Sequence, residues 1–147
     1  MGDSSRSYYL HPSDEAGAAL LARNISGEIV MLNLLRFRDV ADYSAFPELA
    51  TAEPISGRDA YQKYAEHTLP FLQAAGGSVL YSGTGGDFLI GPPGRGWDMV
   101  LLVRQKSVAA FIAFASNQEY LAGLGHRSAA LLDSRLLPLV DSPTVDV

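Results

Sequence analysis

The stretch Ile29-Val30-Met31-Leu32-Asn33-Leu34-Leu35-Arg36-Phe37 reads as a β-strand that is apolar on both faces, interrupted only by Asn33 and Arg36. Trp97-Asp98-Met99-Val100-Leu101-Leu102-Val103 has the same character. Side chains alternate across a strand, so a strand apolar on both faces needs cover on both. In a chain of 147 residues the remaining segments supply cover for one face only. The pattern therefore predicts an α+β domain that pairs with a copy of itself.

Size and composition leave room for that core. At 15.7 kDa a chain buries about 68% of its unfolded surface on folding, so no disulfide or metal is needed to hold it. With 48% hydrophobic and 18% charged residues the composition is that of a globular domain. There is no cysteine, which removes disulfides, thiolate metal sites and a cysteine nucleophile together, in keeping with a reducing compartment. A net charge of −5 repels phosphate backbones on average and argues against nucleic acid as a partner. No apolar run approaches the ~20 residues that span a bilayer. Met1-Gly2-Asp3-Ser4-Ser5-Arg6 lacks the apolar core of a leader peptide, and the expectation is a soluble cytoplasmic protein.

Local signals give the order of elements. Ser13 caps a short helix with Asp14 and Glu15 in its first turn and alanines after them, ended by Asn24 and Gly27. A strand over Ile29–Arg38 follows, and residues 39–58 read as a long connection. The main helix is predicted from about Gly57 to Ala75, with Tyr61, Tyr64, Ala65, Thr68 and Leu72 on one stripe and Pro70 inside it. Ser78–Ser82 is expected as strand, Gly83–Asp87 as turn and Phe88–Ile90 as strand again. Ser107 caps another helix, Ser116 to Glu119 carries capping-box spacing, and Arg127–Asp133 looks helical before a last strand at Ser134–Val140. The division is an extension at 1–27, a domain at 28–141 and a tail at 142–147.

After the extra N-terminal helix the order is β-α-β-β-α-β, the split arrangement of ferredoxin-like antiparallel sheets. There the first and third strands are central, which suits the two wholly apolar stretches. Pro138 belongs on an edge, because proline donates nothing to a ladder. Helices cover one sheet face. Leaving several hundred Å² of the other face wet would forgo roughly 10 kcal/mol, so a face-to-face homodimer is predicted.

Several of these motifs, in this order, resemble one family. They are Met31 to Phe37, Ile55-Ser56-Gly57 leading to Ala60-Tyr61 and Tyr64, Gly76-Gly77, Trp97 to Val103, the Ser107–Phe111 helix start, and Tyr120 followed by Arg127 and Asp133-Ser134-Arg135-Leu136. The chain is similar over about 28–140 to the uncharacterised family called domain of unknown function 1330, of the dimeric α/β-barrel superfamily. It departs at Gln105-Lys106, where family members often carry Tyr-Pro. The resemblance implies a ferredoxin-like fold and a homodimer whose two sheets form a barrel, with no settled activity. Cofactor-free monooxygenases, isomerases and haem enzymes belong to the same superfamily, as do proteins with no known chemistry.

Few residues suggest chemistry. Asn33 sits among Met31, Leu35 and Phe37, and reads either as a structural amide or as a donor to a ligand carbonyl. Arg36 points to the opposite strand face, where it would pair with an acid or bind a carboxylate or enolate. Tyr64 and His67 share a helix edge as proton-carrier candidates, with Tyr61 beside them as a ligand contact. Trp97, Asp98 and Arg127 complete the ligand-binding candidates, with Arg127 otherwise anchoring its segment to Asp98 or to helix carbonyls. The three histidines, His11, His67 and His126, show no metal spacing, and no nucleotide-binding or nucleophile-elbow motif occurs. The expectation is a cofactor-free homodimer that binds or transforms a small, partly apolar organic molecule. The rival reading is a non-catalytic structural or interaction module.

Overall fold

The computed structural model describes residues 8–142. The leader-peptide reading of residues 1–6 and all but the first residue of the 142–147 tail lie outside them. The elements are α1 (Asp14–Ala22), β1 (Ile29–Phe37), α2 (Gly57–Ala74), β2 (Ser78–Gly86), β3 (Trp97–Gln105), α3 (Val108–Ala115), α4 (Gln118–Leu121), α5 (Leu124–Ala130) and β4 (Leu131–Leu139). The four strands form one antiparallel sheet in the order β2-β3-β1-β4. The ferredoxin-like α+β fold is thus the observed one, with the two apolar strands central and Pro138 on an edge strand. The sheet of one chain is open, not a closed barrel.

Alternation sorts the two sheet faces. Leu35, Phe37, Met99, Leu101 and Val103 point toward the helices and join Tyr61, Tyr64, Leu72, Phe114 and Tyr120 in the core. The opposite face carries Val30, Leu32, Leu34, Val100 and Leu102, all half-buried in the single chain. Registers align Tyr81, Leu102, Leu32 and Leu137 in one apolar row across all four strands. Tyr81 and Leu137 on the two edges are exposed.

Serine and asparagine side chains start the helices as caps: Ser13 accepts from the Ala16 amide, Ser56 from Asp59, Ser107 from Ala110 and Asn117 from Glu119 and Tyr120. The cap of α4 is therefore Asn117, and Ser116 instead closes α3. Two boundaries differ from expectation. β2 runs on through Gly83–Gly86, and Phe88–Ile90 is loop. A Cβ on Gly85 would collide with the Trp97 carbonyl oxygen, so this glycine is present for close backbone approach within the sheet and not for a turn. The helical reading of Arg127–Asp133 is also corrected: α5 ends at Ala130 and β4 begins at Leu131.

Candidate functional site

The sheet end where β1, β3 and β4 meet is organised by charge. Arg36, near the end of β1, donates from Nε and Nη2 to the Gly96 carbonyl at 3.1 and 2.7 Å, and from Nη2 to that of Arg95 at 3.1 Å. One arginine thereby ties the β2–β3 loop to the sheet. Its guanidinium carbon lies 4.4 Å from the Trp97 ring centroid, within cation–π range. Nη1 reaches Asp133 Oδ2 at 3.4 Å.

Asp133 is the hub. Its carboxylate is 3% exposed and also accepts from Arg135 Nη1 at 2.7 Å, the Tyr9 amide at 2.8 Å and the Ser134 amide at 2.9 Å. A buried carboxylate is tolerated when its lone pairs are filled in this way. Two arginines around one carboxylate leave one net positive charge. Arg135 stacks on Tyr9 at 4.8 Å and Trp97 at 5.1 Å.

These groups border a cleft of about 270 Å³ whose wall includes Tyr8, Phe88, Trp97 and Leu132 as well as Arg36 and Arg135. A register shift in the β1–β4 ladder makes it possible. Arg36 pairs with Asp133 but Phe37 with Leu131, so Leu132 is an extra residue in β4. Strict alternation would put Leu132 and Asp133 on opposite faces, whereas here both line the cleft. A second depression, of about 300 Å³ beside Tyr43 and Ile55, has no charged side chain in its lining.

Of the residues expected at a site, Arg36 and Trp97 line the charged cleft. Asp98 is close by, its Oδ2 accepting the Phe37 amide at 2.8 Å. Asn33 lies on the helix-facing side and donates to the Met31 carbonyl at 3.2 Å, the structural bond weighed for it. Tyr61 and Tyr64 are in the core, with Tyr64 hydroxyl-to-hydroxyl with Tyr120 at 2.9 Å. Burial, reinforced by neighbouring Tyr64, pushes the Tyr61 and Tyr120 phenols well above the usual range. Both stay neutral near physiological pH and can only exchange hydrogen bonds. His67 Nε2 donates to the Glu119 carbonyl at 2.8 Å, and its imidazole occupies the space a side chain on Gly123 would take. Arg127 anchors its segment, but to the Leu10 carbonyl at 2.6 Å and the Ser134 hydroxyl at 3.3 Å, not to Asp98.

Asp133, Arg135, Tyr8 and Leu132 are not among the site residues the sequence suggests. An available signal was Asp-Ser-Arg, whose charged residues share a face two apart once the segment is read as strand. Among the described residues no cluster of three or more His, Asp or Glu could hold a metal, and no helix is long and apolar enough to cross a membrane.

No family model matches the chain, and no curated protein does. Two crystal structures match over nearly its full length. The methylated RPA0582 protein is 33% identical, with 94% of this chain and 98% of that one covered and a TM-score of 0.83. RPA0582 from Rhodopseudomonas palustris, described as of unknown function, is 33% identical over 94% and 100% of the two chains, with a TM-score of 0.81. A dimeric ferredoxin-like protein of unknown function from Thermobifida fusca is 15% identical over 78% and 91%, at a TM-score of 0.45, too distant for any inference about assembly or activity.

Proposed function

The chain belongs to the family of the RPA0582 protein of Rhodopseudomonas palustris, and from that premise we propose that it is a homodimer binding a small, partly apolar organic molecule without a cofactor. The observation that carries the binding is the cleft in which Arg36, Arg95, Arg135 and Asp133 share a wall with the apolar surfaces of Tyr8, Phe88, Trp97 and Leu132. Small-molecule sites likewise set fixed polar groups among apolar surfaces. The homodimer is supported by the open sheet face, where Tyr81 and Leu137 are exposed and Leu102 and Leu32 between them only half-buried by the described residues. The finer placement in the family of domain of unknown function 1330 rests on the motif order from Met31 to Leu136. A cytoplasmic residence is in keeping with a chain free of cysteine.

Should the bound molecule also react, the proposal is cofactor-free proton transfer or oxygenation, with Arg36 stabilising an oxyanion. Tyr64 or His67 would carry the proton only for a molecule that reaches the helix side of the sheet. A second reading, a non-catalytic structural or interaction module, is favoured by the packing of Tyr61, Phe114 and Tyr120 between sheet and helices.

Trp97 is the only tryptophan, so its emission reports on the cleft alone. A screen of small aromatic and aliphatic molecules of differing charge is expected to find saturable emission changes. A screen in which nothing perturbs Trp97 would leave the module reading in place.

A further inference from the structure

We propose that the cleft is a carboxylate site, selecting small organic acids with an aromatic or short aliphatic body; this rests on the reading of the cleft as a small-molecule site. Arg135 is the recognising group. Its Nη1 is committed to Asp133 Oδ1 at 2.7 Å and to the Ser134 carbonyl at 2.8 Å. No described residue accepts from Nε or Nη2, while the side chain is 42% exposed on the cleft wall. The Nε–Nη2 edge of a guanidinium matches the two oxygens of a carboxylate in a side-on, two-bond pair.

That edge is held ready. Asp133 fixes the other side of the group, and the guanidinium carbon lies over the rings of Tyr9 and Trp97 at 4.8 and 5.1 Å. Little side-chain freedom is then lost when an anion arrives, which favours affinity. Arg36 adds a second positive charge across Trp97, Arg95 also lines the wall, and Asp133 is the one acid among the described residues of the lining. The local field is thus positive on a chain whose net charge is −5, so the site selects anions although the whole molecule does not attract them.

The rest of the wall decides the class of anion. Tyr8, Phe88, Trp97 and Leu132 offer apolar surface that inorganic phosphate would leave unused and that the body of an organic acid would cover. At about 270 Å³ the cleft lies below the usual range for drug-sized ligands, which points to a single ring or a short chain.

The test uses the full chain and the emission of Trp97, titrated with benzoate, phenylacetate and hexanoate, each against its amide. The amide keeps the shape and loses the charge. At least one acid is expected to saturate with an affinity about tenfold or more above its amide, and to weaken as salt is added. Arg135→Gln is expected to bring the acid down to the affinity of its amide, and to lower the melting temperature by a few degrees because Asp133 loses its 2.7 Å partner. Arg135→Lys, which keeps the charge but not the fork, is expected to fall between, and serves if the glutamine variant fails to fold. Acids and amides that bind alike would overturn the carboxylate assignment and leave the cleft as a small-molecule site. An acid preference that survives Arg135→Gln would overturn the role of Arg135. No emission change with any compound would overturn both readings.

Discussion

Asp133 holds together one end of this molecule, and its removal has a definite expected cost. Arg36 and Arg135 both lean on its carboxylate, which is nearly inaccessible to solvent. Asp133→Asn keeps the shape but leaves two guanidinium groups facing each other without compensation. Breaking a buried pair from one side costs about 3–5 kcal/mol, and the partial exposure of both arginines reduces this to roughly 2–3 kcal/mol here. Urea unfolding of the variant measures it; an unchanged midpoint would mean the carboxylate is dispensable. Arg36 stood out in the sequence because it interrupts an apolar strand. Its partner did not, since Leu131-Leu132 fits helix and strand equally well and Asp133 reads as the end of a helix. Gly85 is ambiguous in sequence for a related reason. Glycine serves both where φ must be positive and where a Cβ has no room, and sequence does not say which applies.

At the scale of elements, caps and periodicity marked α1, α2 and α3 correctly, because these signals are contained within a few neighbouring residues. The segment 39–58 reads in sequence as a plain connection, yet it is tied to α5. The Asp42 amide donates to the Ala129 carbonyl at 2.9 Å, and the Tyr43 hydroxyl meets His126 Nδ1 at 2.7 Å. With Tyr43 donating, His126 is neutral and carries its proton on Nε2. Burial first, and then the charges of Lys63 and His67, hold its pKa below the ordinary 6.5. His11 is lowered too, by burial and by Arg127. A lowered folded pKa means the unfolded chain binds the proton more readily. Stability is therefore full above about pH 7 and declines as pH falls through the unfolded value toward the folded one. His126→Gln is expected to flatten that decline in denaturant midpoints measured from about pH 7.5 to about pH 5. An equal slope in the variant would remove His126 from the account.

For the whole molecule the decisive quantity is the open sheet face. A two-fold pairing of that face would bury Leu32 and Leu102 of each copy near its centre. Light scattering is expected to report twice the 15.7 kDa of one chain, and a stable 15.7 kDa particle at high dilution would sink the homodimer. Leu32→Glu places an unpaired charge in that interface and is expected to raise the dissociation constant by about a hundredfold or more. Its circular dichroism should stay native, since Leu32 lies outside the helix-facing core. The cleft borders the same face, since Arg135 on its wall pairs with Leu34, so light scattering with and without an organic acid would show whether binding and assembly are coupled.

Residue order alone determined the succession of elements, the central place of the two apolar strands and the edge position of Pro138, because each follows from side-chain periodicity or from a missing backbone donor. Only the tertiary structure decided that Arg36 would meet an acid 97 positions away and share Trp97 with a second arginine. That meeting depends on strand register and on one extra residue in β4 that sets Leu132 and Asp133 along the same cleft. Register is a property of paired strands, and no single strand encodes it.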